Sequence, residues 1–230
     1  VSACRLPCIS GKDSMKNDAT LDGEKISVPP TILFSLVGNH PDVRKAVSSD
    51  FKSPGDEIYL LGQTHQELGA SELAFMLRDE EGSGIGGAIP EIDAERNLAM
   101  YRSLTTSMRG GLVASAHDCS DGCLATALAE CCFGADSGAT TDIGGIWGDC
   151  ESLDEWGALF GESLGRILVS VRPTDCSEFE RAMHGHACYH IGRVSEGDQI
   201  TVNRGEREIL SASMSELRRS WKGALGGGER

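Results

Sequence analysis

Residues 117–123, with the sequence His-Asp-Cys-Ser-Asp-Gly-Cys, mark the point where a predicted strand meets a predicted helix. The five residues before them, 112–116, are small and mostly apolar, which is typical of a buried strand. Leu124, Leu128 and Cys131 follow with the spacing of an apolar helix face. The stretch therefore predicts a strand that runs directly into a helix, the unit from which a helix-covered sheet is built.

This junction carries groups suited to an anion or a metal ion. Ser120 is predicted to be the N-cap of the helix, and Asp121 lies where the helix dipole favours negative charge. A helix N-terminus can bind phosphate, and the Asp118 carboxylate is a suitable hard ligand for the Mg²⁺ that accompanies phosphate. An ordinary capped helix with a solvated acidic turn is the alternative, because capping signals are far more common than nucleotide sites.

Composition limits the classes of partner. The 230 residues include 35 acidic and 21 basic side chains, which gives a net charge of −14 at pH 7. Nucleic acid and anionic membranes are therefore excluded as main partners, since both require a basic surface. No apolar run approaches the roughly 20 residues of a membrane span, and the N-terminus does not resemble a signal peptide. Nine cysteines without a disulfide spacing favour reduced thiols, so we expect a cytoplasmic protein.

Two sets of residues contain potential metal ligands. The cysteine pairs have C-x3-C spacing, which differs from the C-x2-C spacing of a zinc knuckle. In the second set, His184, His186, Cys188 and His190 occupy alternate positions. A helix is predicted to end at the first of them and a strand to begin near the third, so their side chains are not expected to share one face. An ordinary helix-to-strand turn is therefore the prediction for that segment. The residues are Cys4 with Cys8, Cys119 with Cys123, and the segment His184, His186, Cys188 and His190.

Predicted strands and helices alternate along most of the chain. The predicted strands are residues 31–37, 58–61, 112–116, 138–146, 166–171, 189–194, 199–203 and 206–210. The predicted helices are residues 68–77, 93–110, the helix of the central junction, one begun by a Ser152–Glu155 capping box and ending near Gly161, one capped by Thr174, and 213–221. Because some neighbouring strands are joined by tight turns, this order predicts an α+β fold in which helices cover a mixed β-sheet.

Two glycine-bearing stretches have partial phosphate-binding patterns. Gly11, Lys12 and Ser14 can present an amide, an ammonium and a hydroxyl to a phosphate, although their spacing departs from a P-loop. A solvated linker is the alternative there. Residues 82–87 match G-x-G-x-x-G, but a charged run precedes them where the dinucleotide fingerprint needs a strand. We therefore predict a loop for residues 82–87.

Four motifs keep the order and spacing of one known family. They are residues 7–15 (Pro-Cys-Ile-Ser-Gly-Lys-Asp-Ser-Met), Gly55-Asp56 before a leucine-rich strand, residues 117–122, and residues 159–165 (Leu-Phe-Gly-Glu-Ser-Leu-Gly). Together they resemble phosphoribosylformylglycinamidine synthase, and specifically the C-terminal AIR-synthase-related domain in the second half of its synthetase region. The resemblance implies an inter-domain segment at residues 1–24 and an AIR synthase C-terminal-domain-like fold at residues 25–230.

The resemblance also implies an activity and partners. The family is an ATP-dependent C–N ligase of purine biosynthesis that converts formylglycinamide ribonucleotide to the amidine, through an iminophosphate, with glutamine-derived ammonia. As one of four synthetase domains, this chain would be inactive alone. It would require ATP or ADP, Mg²⁺, an N-terminal AIR-synthase-like domain, the other half of the enzyme and a glutaminase domain or subunit. A homodimer of the fragment is a further expectation.

Individual roles follow from the matching motifs. The resemblance makes Asp118 a magnesium ligand and Ser120 a nucleotide contact at an auxiliary site. It places Gly11 at ATP, and Lys12 and Ser14 at the substrate, in the catalytic site formed with the other half. It assigns no covalent nucleophile.

Two positions depart from the family pattern. Cys123 replaces a glycine, and Leu164 replaces a glutamine that helps to bind substrate. Without that amide, the Glu162-Ser163 loop is expected to be structural. The alternatives are another enzyme of the same superfamily, such as aminoimidazole ribonucleotide synthase, selenophosphate synthase or thiamine-phosphate kinase, or a domain that serves only as an interface and exposes an apolar face.

Overall fold

The structure is a computed structural model that describes residues 18–27, 37–79 and 86–223. The chain divides into two compact units, Val1–Ala46 and Val47–Arg230. Gly11, Lys12 and Ser14, most of the predicted strand 31–37 and most of the 82–87 loop lie outside the described residues. The predictions made for them therefore remain predictions.

The first unit contains a short hairpin that sequence analysis missed. Strand β1 (Ala19–Leu21) pairs antiparallel with β2 (Glu24–Ile26). The two loop residues, Asp22 and Gly23, have φ values of 51° and 83°. Positive φ at both central positions matches the right-handed twist of the flanking strands, and Asp-Gly is a strong signal for such a turn. A three-residue 3₁₀ segment, Val43–Lys45, is also described in this unit, with Asp42 as its N-cap.

The second unit is built on a seven-stranded sheet of described residues. The strand order is β4-β6-β3-β7-β5-β8-β9, and each neighbouring pair is antiparallel except β5 with β8. This mixed sheet confirms the predicted α+β class. The strands are β3 (Glu57–Leu61), β4 (Ser115–Asp118), β5 (Gly138–Asp142), β6 (Ile167–Val171), β7 (Cys188–Ser195), β8 (Gln199–Arg204) and β9 (Arg207–Ser213).

Helices cover both faces of the sheet because successive strand residues point to opposite sides. From β3, Ile58 and Leu60 enter one hydrophobic cluster with α3 and α6, whereas Tyr59 and Leu61 enter a second cluster with α2 and α5. The helices are α1 (Glu72–Met76), α2 (Ala94–Arg109), α3 (Cys123–Ala135), α4 (Glu155–Phe160), α5 (Cys176–Ala182) and α6 (Met214–Gly223). No described helix is long and apolar enough to cross a membrane.

The predicted helix at residues 93–110 is confirmed, with Asp93 accepting a hydrogen bond from the Arg96 N–H and Gly110 at the C-cap. Two other predicted caps are wrong. Asp154, and not Ser152, caps α4 through the Gly157 N–H, and Asp175, and not Thr174, precedes α5. In each case the acidic residue next to the helix takes the position.

The central junction also differs from its prediction. The strand lies at Ser115–Asp118 and not at residues 112–116, so Asp118 is the last strand residue. Helix α3 starts at Cys123, and its N-cap is Gly122, in the left-handed region, without a side-chain cap. Ser120 is therefore not the N-cap. The tight turn between strand and helix needs positive φ, which glycine adopts at low cost.

Candidate functional site

Asp118 and Ser120 lie together at the end of β4. The Ser120 hydroxyl donates a hydrogen bond to Asp118 Oδ2. This bond is the largest influence on the Asp118 carboxyl and, against an opposing effect of burial, it lowers the pKa of Asp118. Asp118 is therefore a carboxylate at neutral pH, and most of its side chain faces solvent. Such a group is suited to a hard cation.

Glu162 replaces the predicted Ser120 cap. Its Oε1 atom accepts the Gly122 N–H at 2.9 Å and the Glu72 N–H, also at 2.9 Å. One carboxylate oxygen thus satisfies backbone donors at the starts of both α3 and α1, where helix dipoles favour negative charge. Because Glu162 already holds the Gly122 amide, this N–H is not free to bind a phosphate.

The rest of the Glu162 loop also makes structural contacts. Ser163 Oγ accepts the His65 N–H at 3.0 Å, and the Leu164 carbonyl accepts from Asn97 Nδ2 at 3.3 Å. The loop therefore links α1, α2 and α3 around the site. These contacts agree with the expectation that the loop has a structural role.

These residues surround a cavity of about 420 Å³. The carboxylates of Asp118, Asp121 and Glu162 lie on its wall, and Arg166 is the basic residue in the lining. An acidic wall attracts a divalent cation, whereas a phosphate group would need that cation to offset the carboxylate charge. The remaining lining residues are Gly69, Ala70, Pro90, Tyr101, Cys119, Ser120, Leu164, Gly165 and Ile167.

Arg166 lies buried beneath the cavity and was missed as a site residue by sequence analysis. Its Nη1 donates to Thr64 Oγ1 at 2.6 Å, and its Nη2 donates to the Gly161 carbonyl at 3.2 Å and to Cys123 Sγ at 2.5 Å. The sequence signal was a lone arginine directly before an apolar strand, which is unusual because buried arginine needs partners.

Cys123 is the first residue of α3 and faces this arginine. The Cys119 thiol, which hydrogen-bonds to Cys123, and the Arg166 guanidinium together lower the pKa of Cys123 to about 6, against an opposing effect of burial. Proximity to a cation and to a helix N-terminus is the usual cause of such a shift. A buried thiolate and guanidinium therefore lie in contact under the Asp118–Ser120 turn.

The other potential ligands have partners of their own, and His117 Nδ1 also lies 3.4 Å from Asp118 Oδ1. His117 Nε2 lies 2.7 Å from Glu130 Oε2 of α3, His186 Nε2 lies 2.9 Å from Ser103 Oγ, and His190 Nε2 lies 2.6 Å from Glu57 Oε2. Within the described ranges, no group of three or more His, Cys, Asp or Glu side chains is arranged to hold a metal ion.

The fold and the site can now be compared with known proteins. The sequence profile named "AIR synthase related protein, C-terminal domain" matches residues 53–204. The chain belongs to this family. The matched part runs from just before β3 to the end of β8, so this AIR synthase related C-terminal domain includes Asp118, Ser120, Glu162 and Arg166.

Solved structures support the same fold. A structure titled "T. maritima PurL complexed with FGAR" superposes with a TM-score of 0.65 at 20% identity, over 76% of this chain and 30% of that chain. Phosphoribosylformylglycinamidine synthase II from Thermotoga maritima gives 0.61 at 18% identity, over 76% and 28%. Hydrogenase maturation protein HypE in complex with ATP gives 0.50 at 15% identity, over 74% and 55%. The AIR synthase related domain thus spans about three tenths of the Thermotoga chains.

Proposed function

We propose that this chain is the C-terminal AIR-synthase-related domain in the second half of a phosphoribosylformylglycinamidine synthase. The parent enzyme would use ATP, Mg²⁺ and glutamine-derived ammonia to convert formylglycinamide ribonucleotide to the amidine through an iminophosphate. The observation that carries the proposal is the Asp118–Ser120 pair, which a member of this family presents at the wall of a 420 Å³ cavity. The similarity to PurL structures in complex with ATP, ADP and FGAR supports it.

In this proposal Asp118 holds a magnesium ion and Ser120 contacts the nucleotide. The bond from Ser120 orients the Asp118 carboxylate and keeps it ionised. Glu162 fixes the turn that follows Ser120 by accepting a hydrogen bond from the Gly122 N–H. Magnesium, when bound, would offset the charge of the nucleotide phosphates. In this proposal these residues supply or orient oxygen ligands, and none of them acts as a covalent nucleophile.

The proposal also needs the parts that this chain does not supply. The predicted boundary after residue 24 would leave Gly11, Lys12 and Ser14 in an inter-domain segment, with Gly11 at ATP and the other two at the substrate of the catalytic site. An N-terminal AIR-synthase-like domain, the other half and a glutaminase would complete the enzyme. Several apolar side chains at the C-terminal end of α1 and around Pro90 suit such a packing partner because they are exposed: Phe75, Met76, Leu77, Ile89 and Ile92.

The test is a calorimetric titration of the full chain with ADP, with and without Mg²⁺. Asp118→Asn removes the charge with little change of shape, so we expect the dissociation constant for magnesium-ADP to rise at least tenfold, or about 1.4 kcal/mol. Asp136→Asn, an exposed aspartate at the far end of α3, is the matched control and should leave binding unchanged. Equal affinity for the wild type and Asp118→Asn would contradict the magnesium role.

A second candidate is a domain that serves only as an interface. It is favoured by the occupied Gly122 amide and by the exposed apolar side chains of α1. Adding the N-terminal domain in trans distinguishes the two functions. If magnesium-ADP binds neither the chain nor the reconstituted pair, the interface function is correct and the nucleotide role of Asp118 is wrong.

A further inference from the structure

The starting observation is a buried carboxylate oxygen of Glu67 that lacks a hydrogen-bond partner. The Glu67 residue is only 7% exposed. Its Oε1 atom accepts the Glu91 N–H at 3.1 Å. Within the part of the chain that the structure describes, its Oε2 atom is buried and has no partner. A buried charged group without a partner is costly, so this oxygen favours a ligand that can donate to it.

The backbone around Glu67 fixes this carboxylate in place. The Glu67 N–H donates to the His65 carbonyl at 2.9 Å, and the Glu67 carbonyl accepts the Glu162 N–H at 3.1 Å. The Gly69 N–H donates to the Ala88 carbonyl at 2.9 Å, which holds the neighbouring segment against this turn. The carboxylate is therefore already ordered, and a ligand need not order it on binding.

Glu67 lies on the wall of a second cavity, which we call the Glu67 cavity. Its volume is about 430 Å³, and it shares no lining residue with the cavity that contains Asp118. Small-molecule sites have volumes of roughly 300–1,000 Å³. Three segments contribute to the wall, at residues 65–67, 88–96 and 150–152. The unpartnered oxygen thus belongs to a side chain that lines a space large enough for a small ligand.

The charges of the wall favour a cation. Its acidic side chains are Glu67, Glu91 and Asp93, and Arg96 supplies one guanidinium. Asp93 already balances this guanidinium, since its Oδ1 accepts the Arg96 N–H at 3.0 Å and its Oδ2 lies 3.7 Å from Arg96 Nε. Arg96 Nη1 also donates to Gln63 Oε1. Glu67 and Glu91 therefore leave an excess of negative charge, which attracts a positively charged ligand.

The same groups suit an N–H donor better than a metal ion. No cluster of three or more metal-ligating side chains occurs among the described residues. Because one Glu67 oxygen is occupied, the buried carboxylate offers a single acceptor, which matches one N–H of an ammonium group. Ala88 and Ile92 add apolar surface to the wall, and Ile92 is 64% exposed. Such a surface can pack against the alkyl chain of an amine.

We propose that the Glu67 cavity binds a small primary alkylammonium ion. The ammonium group donates to Glu67 Oε2, Glu91 adds to the balance of its charge, and the alkyl chain lies against Ile92. Hydrogen bonds between ionised groups are about twice as strong as those between neutral groups, so Glu67 supplies most of the affinity. The proposal is independent of whether the Asp118 cavity binds a nucleotide.

The test is a titration of the ¹⁵N-labelled full chain with n-butylammonium chloride at low ionic strength, followed by amide NMR. The Glu91 N–H is the reporter because it donates to the Glu67 carboxylate. We expect saturable shifts that are largest around Glu91, with a dissociation constant on the order of 1 mM. Tetramethylammonium has the same charge but no N–H group, so it should bind at least tenfold more weakly.

A pair of variants separates the buried carboxylate from the general charge of the chain. Glu67→Gln removes the charge but keeps an oxygen that can accept the Glu91 N–H, so n-butylammonium should bind at least tenfold more weakly. Glu95→Gln removes the same charge from an exposed position in the first turn of α2, outside the cavity wall. This control should leave the dissociation constant unchanged.

Three outcomes would overturn the proposal. They are the absence of saturable shifts in the wild type, equal binding of n-butylammonium and tetramethylammonium, and equal affinity of the wild type and Glu67→Gln for n-butylammonium. The comparison of the two ammonium ions needs only the wild type, so it decides even if Glu67→Gln fails to fold.

Discussion

At the scale of single residues, the decisive contacts join positions that are far apart in sequence. Glu162 replaces the predicted Ser120 cap from 40 residues away, and Arg166 pairs with Cys123 from 43 residues away. Local capping statistics could identify Ser120 as a candidate, but they contain no information on a carboxylate that arrives from another loop. The proximity of Asp118 and Ser120 was predictable because only Cys119 separates them in the sequence.

The thiolate of Cys123 predicts a pH dependence of stability. Its pKa is lowered in the folded state, so the unfolded chain binds more protons between about pH 6 and the ordinary thiol value of 9. Stability must therefore rise with pH in this window and fall as the pH approaches 6. Between about pH 6.5 and 8, the free energy of unfolding measured with urea should increase by about 2 kcal/mol more for the wild type than for Cys123→Ser. Parallel pH profiles for the two proteins would contradict a thiolate.

At the scale of secondary structure, periodicity and flanking residues predicted most elements. Strand β3, strand β6 and helix α2 lie close to their predicted positions because apolar runs end at glycine or proline, and because Asp93 and Gly110 mark the helix ends. The first hairpin was missed, although Asp22-Gly23 is a strong turn signal, because its strands have only three residues each and are exposed.

Glu162 connects the starts of helices α1 and α3, and its removal is predicted to destabilise both helices. Glu162→Ala leaves the Gly122 and Glu72 amides without their acceptor, so we expect a loss of about 2 kcal/mol in the free energy of unfolding. Glu162→Gln keeps an oxygen acceptor and should lose about half as much. The measurement is urea unfolding followed by circular dichroism. If Glu162→Ala were no less stable than Glu162→Gln, the two hydrogen bonds from the Gly122 and Glu72 amides would not contribute to stability.

At the scale of the whole molecule, a mixed sheet covered by helices was predictable from the alternation of strands and helices. Its strand order was not, because β5 and β8 pair in parallel across an insertion of 56 residues that contains β6 and β7. Such pairing depends on which faces bury together, and no local pattern encodes it. The same holds for the site, since the residues that line its cavity come from five separate segments of the chain.

The exposed apolar side chains predict self-association of the isolated chain. Met76 and Ile89 are 75% and 67% exposed, and covering such side chains is favourable. We expect concentration-dependent dimers in sedimentation velocity, and Met76→Glu with Ile89→Glu should shift the chain to monomer. Leu21→Glu, an exposed apolar position in the first unit, is the control and should leave association unchanged. Dimers that persist in the double variant would place the interface elsewhere.

The long sequence separations within the site have a consequence for biosynthesis. In the folded protein, Glu162 accepts the Gly122 N–H of the turn, and Arg166 contacts the sulfur of Cys123, which follows it. Strand β4 gains its sheet neighbour only when β6 has been synthesised. A nascent chain therefore cannot form this site until residue 171 has left the ribosome. Until then the Cys119 and Cys123 sulfurs are ordinary thiols on an unstructured segment, open to the solvent and to chaperones.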